Sequence, residues 1–279
     1  MTFINRQQRF AVGLGIVITL APFALSAHET WLDASQRSVD KASTIVFRMS
    51  SGEHFPTLQS AIDPNRVETA SCRQGGAPSS LEVGRPTAKS LTLSTRPATR
   101  GALTCWVQLR PRNFDLALDK VEAYMKEIDA PEAARKAWES MPQPRRWNET
   151  YTKNAKVIVP MAAGPSAAAP RPVGLKLEFV PASDLSTGRL EGPLGLTVLR
   201  EGRPLGGLAV ALWSERKGEP VWRTSDAEGR VSFDAPSPGR WMVSGTDLRV
   251  VDARAGKWES QFSTLVFEIL ARQRADVAR

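Results

Sequence analysis

The most regular alternation of apolar and polar positions lies in the second half of the chain. Leu175, Leu177 and Phe179 alternate with Lys176 and Glu178, and Leu194, Leu196 and Val198 repeat the period of two that lays one face of a strand on a core. Glu201, Gly202, Arg203 and Pro204 supply turn chemistry, after which Leu208, Val210 and Leu212 point one way and Ala209 and Ala211 the other. Further strands are expected at 221–224, at Val231 and Phe233, from Trp241 and Val243 onward, and over 262–269, where Leu265, Phe267 and Ile269 share a side. About seven short strands between turn signals predict a two-sheet sandwich of immunoglobulin-like type over 173–279. No cysteine pair spans this half, so the antibody-type variant is excluded.

Upstream, the alternation is mixed with a helical period. Residues 44–49, 90–94 and 103–109 read as extended, whereas Leu118, Val121, Met125 and Ile128 fall at helical spacing within 114–128. A second helix is expected to start at Asp129 as N-cap, with Glu132 completing a capping box, and to end near Ser140 before Pro142 and Pro144. Val121, Met125 and Trp138 read as core positions, as does Trp31, the anchor of the first strand. A third short helix is expected at 146–153, ahead of a strand at 156–159. Residues 161–172 (MAAGPSAAAPRP) have no period and read as a linker. The expected fold is mainly β: an N-terminal β-rich domain with a helical insert over 28–160, then a linker, then the sandwich.

Residues 1–27 do not belong to that fold. Arg6 and Arg9 precede an apolar run from Phe10 to Leu25, and Ala24, Ser26 and Ala27 supply small residues, the pattern of a cleavable secretory signal. Cleavage after Ser26 leaves Ala27 first, and cleavage after Ala27 leaves His28 first. Export to the periplasm is expected, with no membrane span in the mature chain. The formal charge of +8 is spread along the sequence without a basic run or an aromatic-interleaved stripe. Nucleic-acid binding is therefore not expected, whereas a diffuse attraction to an anionic envelope surface is. Cys72 and Cys105 are the only cysteines, and an oxidising compartment favours joining them; two buried free thiols are the alternative.

Export gives one histidine a special place. Only His28 and His54 occur, and processing puts His28 at or beside a free α-amine. An amine and an adjacent imidazole close a chelate on a late first-row ion, nickel, cobalt or copper, with His54 completing the nitrogen set and Glu29, Asp33 or Glu53 as oxygen ligands. With Ala27 first, the amine, a deprotonated amide and the His28 ring still chelate. No catalytic constellation competes: there is no GxSxG elbow, P-loop or dinucleotide fingerprint. Asp226 and Glu228 form a carboxylate pair, but on a Ser-Asp-Ala-Glu-Gly turn they read as a solvated loop.

Four segments in order, 27–32 (AHETWL), 52–56 (GEHFP), 147–156 (WNETYTKNAK) and 174–181 (GLKLEFVP), resemble the periplasmic domain-of-unknown-function family of nickel- and cobalt-uptake accessory proteins of the NikM type. The closing 202–205 (GRPL), 224–229 (TSDAEG) and 238–241 (PGRW) are similar to that family's second half and to carboxypeptidase-regulatory-like modules. The resemblance implies a metal-binding accessory protein acting near an envelope transporter. Two other classes stand beside it: a non-catalytic module binding an envelope protein or a glycan, and a copper-dependent oxidase of histidine-brace type. The oligomeric state is left open.

Overall fold

The computed structural model describes residues 28–36, 43–97, 102–160, 171–216 and 218–271. The leader and positions 161–170 of the expected linker lie outside the described residues. The N-terminal half begins with β1 (Glu29–Ala34), β2 (Ile45–Gly52), β3 (Ser60–Ala61), β4 (Val67–Arg73), β5 (Ser79–Ser80), β6 (Glu82–Pro86), β7 (Leu91–Thr95), β8 (Leu103–Leu109) and β9 (Arg112–Asp115). Two helices, α1 (Val121–Glu127) and α2 (Glu132–Glu139), then lead to β10 (Asn148–Val159). The C-terminal half is β11 (Leu177–Pro181), β12 (Leu194–Arg200), β13 (Arg203–Pro204), β14 (Ala209–Ser214), β15 (Val221–Thr224), β16 (Arg230–Phe233), β17 (Gly239–Asp252) and β18 (Lys257–Ile269).

These strands form three sheets. β1-β2-β7-β6, with β3 on β2, makes a small sheet, and β11-β12-β13, with β16 on β12, makes another. Between them runs the order β15-β14-β17-β18-β10-β8-β4-β5, with β9 on β10. The middle sheet is continuous across both halves because β10 and β18 pair in parallel from Asn148↔Lys257 to Ile158↔Phe267.

Alternation sends neighbouring side chains of these central strands to opposite cores. Val157, Met242 and Val266 pack with Trp31, Phe47 and Leu93 of the first small sheet. Ile158, Val243, Leu265 and Phe267 pack with Phe179, Leu196 and Val198 of the other. A strand covered on both faces needs an unbroken apolar run, which the ends of β10 (VIV) and β18 (LVF) provide. Trp31 is fully buried and meets Phe55 edge to face, 5.8 Å between centroids. Cys72 and Cys105 lie directly opposite each other on β4 and β8 and form a disulfide.

Several sequence expectations are corrected in the insert. Residues 146–153 are not a helix: 148–159 is strand, its Thr, Tyr, Val and Ile residues favouring the pleated surface and its polar residues buried. The 114–128 segment starts as β9 and a 3₁₀ turn at Leu118–Lys120, so only its second half is α-helical, and Leu118 is exposed. Asp129 does not cap α2, whose N-cap is Pro131 without a side-chain bond. Instead Asp129 ends α1 in the left-handed region at φ 44°, with Ala130 N–H donating to the Met125 carbonyl and Asp129 N–H to that of Lys126. This is a Schellman closure with Asp in the position that glycine usually fills.

Both helices cover a third core at one end of the middle sheet. Trp147 stacks on Trp258 at 4.2 Å, surrounded by Tyr124, Trp138 and Phe262. The Glu149 carboxylate is buried among these rings and accepts from Tyr124 Oη at 2.8 Å, Trp147 Nε1 at 2.9 Å and the Ser260 hydroxyl.

Candidate functional site

Where this aromatic core meets the first small sheet, a cleft of about 240 Å³ opens. The antiparallel register Glu29↔Gly52 brings the start of β1 beside the end of β2, so His28 stands next to Glu53, with Nε2 to Oε1 at 3.2 Å. Both side chains reach solvent. Glu127 and Ile128 at the end of α1 form one wall, while Trp213, Glu219, Pro220 and Trp222 of β14, β15 and their connection form another. Gly245 and Thr246 of β17 complete the lining. The Trp213 Nε1 donates to Ser244 Oγ at 2.9 Å.

The charge in this region is unevenly compensated. Four carboxylates line the cleft, those of Glu29, Glu53, Glu127 and Glu219. Oε2 of Glu29 is shielded from solvent and makes no hydrogen bond. Burial, opposed by Ser244 and Lys153, pushes the Glu29 pKa up to about 7. Lys153 donates to the His28 carbonyl and lies over the Phe262 ring at 5.2 Å. Burial lowers its pKa to about 8, against the pull of Glu29.

His28, Glu29 and Glu53 are thus brought to one place. His54 is exposed in the turn after β2, where its carbonyl accepts from Thr57 N–H, and is not among the cleft residues. Asp33 lies further along β1, held by Arg240 Nη1 at 2.7 Å. Asp226 and Glu228 both meet Arg230, at 2.9 and 2.7 Å, on an exposed turn whose Gly229 has φ 74°. Among the described residues, no group of three or more His, Cys, Asp or Glu side chains is gathered for a metal. Sequence reasoning missed Lys153, Glu127, Glu219, Trp213 and Trp222. Lys153 falls in the run expected as a short helix, which hid its place on a strand beside the cleft. The others come from distant segments and meet only through the fold.

Strand pairing and cleft together define a mainly β, immunoglobulin-like sandwich protein with an acidic cleft at the start of its first strand. The chain belongs to the family described as "Domain of unknown function (DUF4198)", which matches residues 25–246. No curated protein matches it. Among solved structures it is similar to a two fibronectin type III domain segment from chicken tenascin, at 11% identity and TM-score 0.23, covering 86% of this chain and 99% of that one. It is also similar to native α2-macroglobulin from Escherichia coli spanning domains MG0-NIE-MG1, at 13% identity and TM-score 0.21, covering 86% and 97%. The D0-D1 domain of intimin matches at 10% identity and TM-score 0.21, covering 85% and 97%. Among the described residues, no helix is long and apolar enough to cross a membrane.

Proposed function

We propose that this is an exported, periplasmic accessory protein that binds a nickel, cobalt or copper ion at the His28 end of the cleft and serves an envelope transporter. The observation that carries the reading is the contact of His28 with Glu53 at the mouth of a carboxylate-lined cleft. Glu53 accepts from His28 Nε2 and so orients the ring, which leaves Nδ1 as the nitrogen free for an ion. Processing at His28 adds the α-amine, which chelates with Nδ1 of the same residue and makes an open nitrogen pair suited to a late first-row ion. His54 does not line the cleft, so a carboxylate behind the ring rather than a second imidazole supports the His28 pair. The protein works by binding, not by catalysis.

Calorimetry of the processed protein with Ni(II), Co(II) and Cu(II) near neutral pH tests this. One ion should bind and be released in acid, because amine and imidazole coordinate only when unprotonated. Glu53→Gln should weaken binding about tenfold, and one or two residues added before His28 should weaken it similarly through the amine. Absence of binding by all three metals would sink the reading and favour the non-metal interaction module.

A further inference from the structure

We infer that the cleft behind His28 binds one pyranose ring of a neutral glycan, with the apolar face of the sugar laid on Trp213 and Trp222. The inference is independent of the metal reading, because it uses neither the His28 ring nor a freed amine.

The floor of the site follows from strand register. Trp222 on β15 stands opposite Ala211 on β14, and Ala211 and Trp213 share one face of β14. Both indoles therefore rise from the same face of the middle sheet as diagonal neighbours. Ala211 is fully buried and adds only a methyl group between them. Trp213 Nε1 donates to Ser244 Oγ at 2.9 Å, which fixes the turn of that ring. Both tryptophans are half-buried and line the cleft. An indole face is apolar and carries the negative side of the ring quadrupole, so it suits the weakly positive C–H groups of a sugar ring.

The polar groups around this floor set the charge of the ligand. Among the described residues, no lysine or arginine lines the cleft, and His28 is turned to Glu53, so nothing there receives an anion. Glu219 is exposed and makes no hydrogen bond or ion pair, while Glu53 gives Oε1 to His28 and keeps Oε2. Trp222 Nε1 likewise has no acceptor among the described residues. A hydroxyl both donates and accepts and so meets the carboxylates and the indole N–H alike; an ammonium only donates and leaves the indole unmet. The cleft volume of about 240 Å³ lies below the roughly 300 Å³ at which pockets for drug-sized ligands begin, so it holds one ring and not a chain.

Saturation-transfer NMR and tryptophan fluorescence on the metal-free, processed full-length protein test this with methyl β-glucoside, N,N′-diacetylchitobiose, glucuronate and tetramethylammonium. At least one of the two neutral sugars should bind, with saturation strongest at its ring C–H protons and a shift in tryptophan emission, and glucuronate should bind about tenfold more weakly than that sugar. Trp222→Ala should weaken the sugar about tenfold and the near-isosteric Glu219→Gln about threefold, both with an unchanged melting temperature. No transfer to either neutral sugar, equal binding of glucuronate, or affinity unchanged in both variants overturns the inference. Tetramethylammonium binding in preference to the sugars overturns it in favour of an organic-cation site. The metal titrations are read separately on the same protein, so failure here leaves that reading standing.

Discussion

Lys153 and Lys156 stand on the same strand, three residues apart, and its two faces treat them in opposite ways. Lys156 points into the layer shared with β11, where Nζ meets Glu178 Oε1 at 2.7 Å with both side chains almost wholly excluded from water. The Glu178 carboxylate also accepts from the backbone N–H groups of Val173, Gly174 and Leu175, so each member of the pair has its partners. Lys153 points the other way, to the cleft end of β1, where it holds a backbone carbonyl and pulls on a carboxylate with an oxygen left over. A buried charge whose partners are complete fixes structure; one whose neighbourhood is incomplete has capacity for a ligand. The difference between them separates scaffold from site in this protein.

Breaking the closed side should have the largest effect. Glu178→Leu strands both the lysine and three backbone donors and should cost about 3–5 kcal/mol in chemical denaturation, with Lys156→Met costing less because the carboxylate keeps its N–H partners. The disulfide closes another part of the same sheet over a separation of 33 residues. Replacing Cys72 and Cys105 together by Ala should lower stability by about 3–4 kcal/mol in the chain-entropy model. Equal losses from Lys153→Met and Lys156→Met would erase the contrast between the faces.

The open side should respond weakly to mutation but clearly to pH. Folded Glu29 keeps its proton up to about pH 7, while the unfolded chain releases it near 4.5. Its contribution to stability therefore falls as pH rises through that window. Lys153 acts at the alkaline end: folded, it loses its proton near 8 and unfolded near 10.5, so its contribution rises between those values. In metal-free protein, Glu29→Gln should flatten the decline between pH 5 and 7 by roughly 2–4 °C in melting temperature. A wild-type profile unchanged by Glu29→Gln would show that this carboxylate is no more confined than a surface one.

The sandwich was legible because its strands obey a simple rule. Leu194, Leu196, Val198, Val210 and Leu212 alternate with small or polar residues and lie in one core, which Leu265 and Phe267 join from the apolar run of β18. The same rule fails at β10. Glu149, Thr152, Asn154 and Lys156 look like one side of a helix or a loop, yet all are buried on a strand between two neighbours. Apart from Trp147, two residues before Glu149, their partners Tyr124, Ser260, Phe262 and Glu178 are too distant in sequence to announce themselves. Glu178 was read as the polar side of its strand for the same reason. At the site, the leader pattern directed attention to His28, and pairing of β1 with β2 brought Glu53 to it. The walls made by Glu127, Glu219 and the two tryptophans are products of topology, with no local signature.

The central claim is that a processed N-terminus at His28 holds an ion through its amine and its ring, oriented by Glu53, and native mass spectrometry of the protein recovered from an exporting cell reads both parts at once. The expected spectrum shows a chain beginning at Ala27 or His28, oxidised at its cysteine pair, that gains the mass of one nickel or copper ion on titration and loses it in acid. A correctly processed chain that stays at its apo mass with nickel, cobalt and copper would contradict the account.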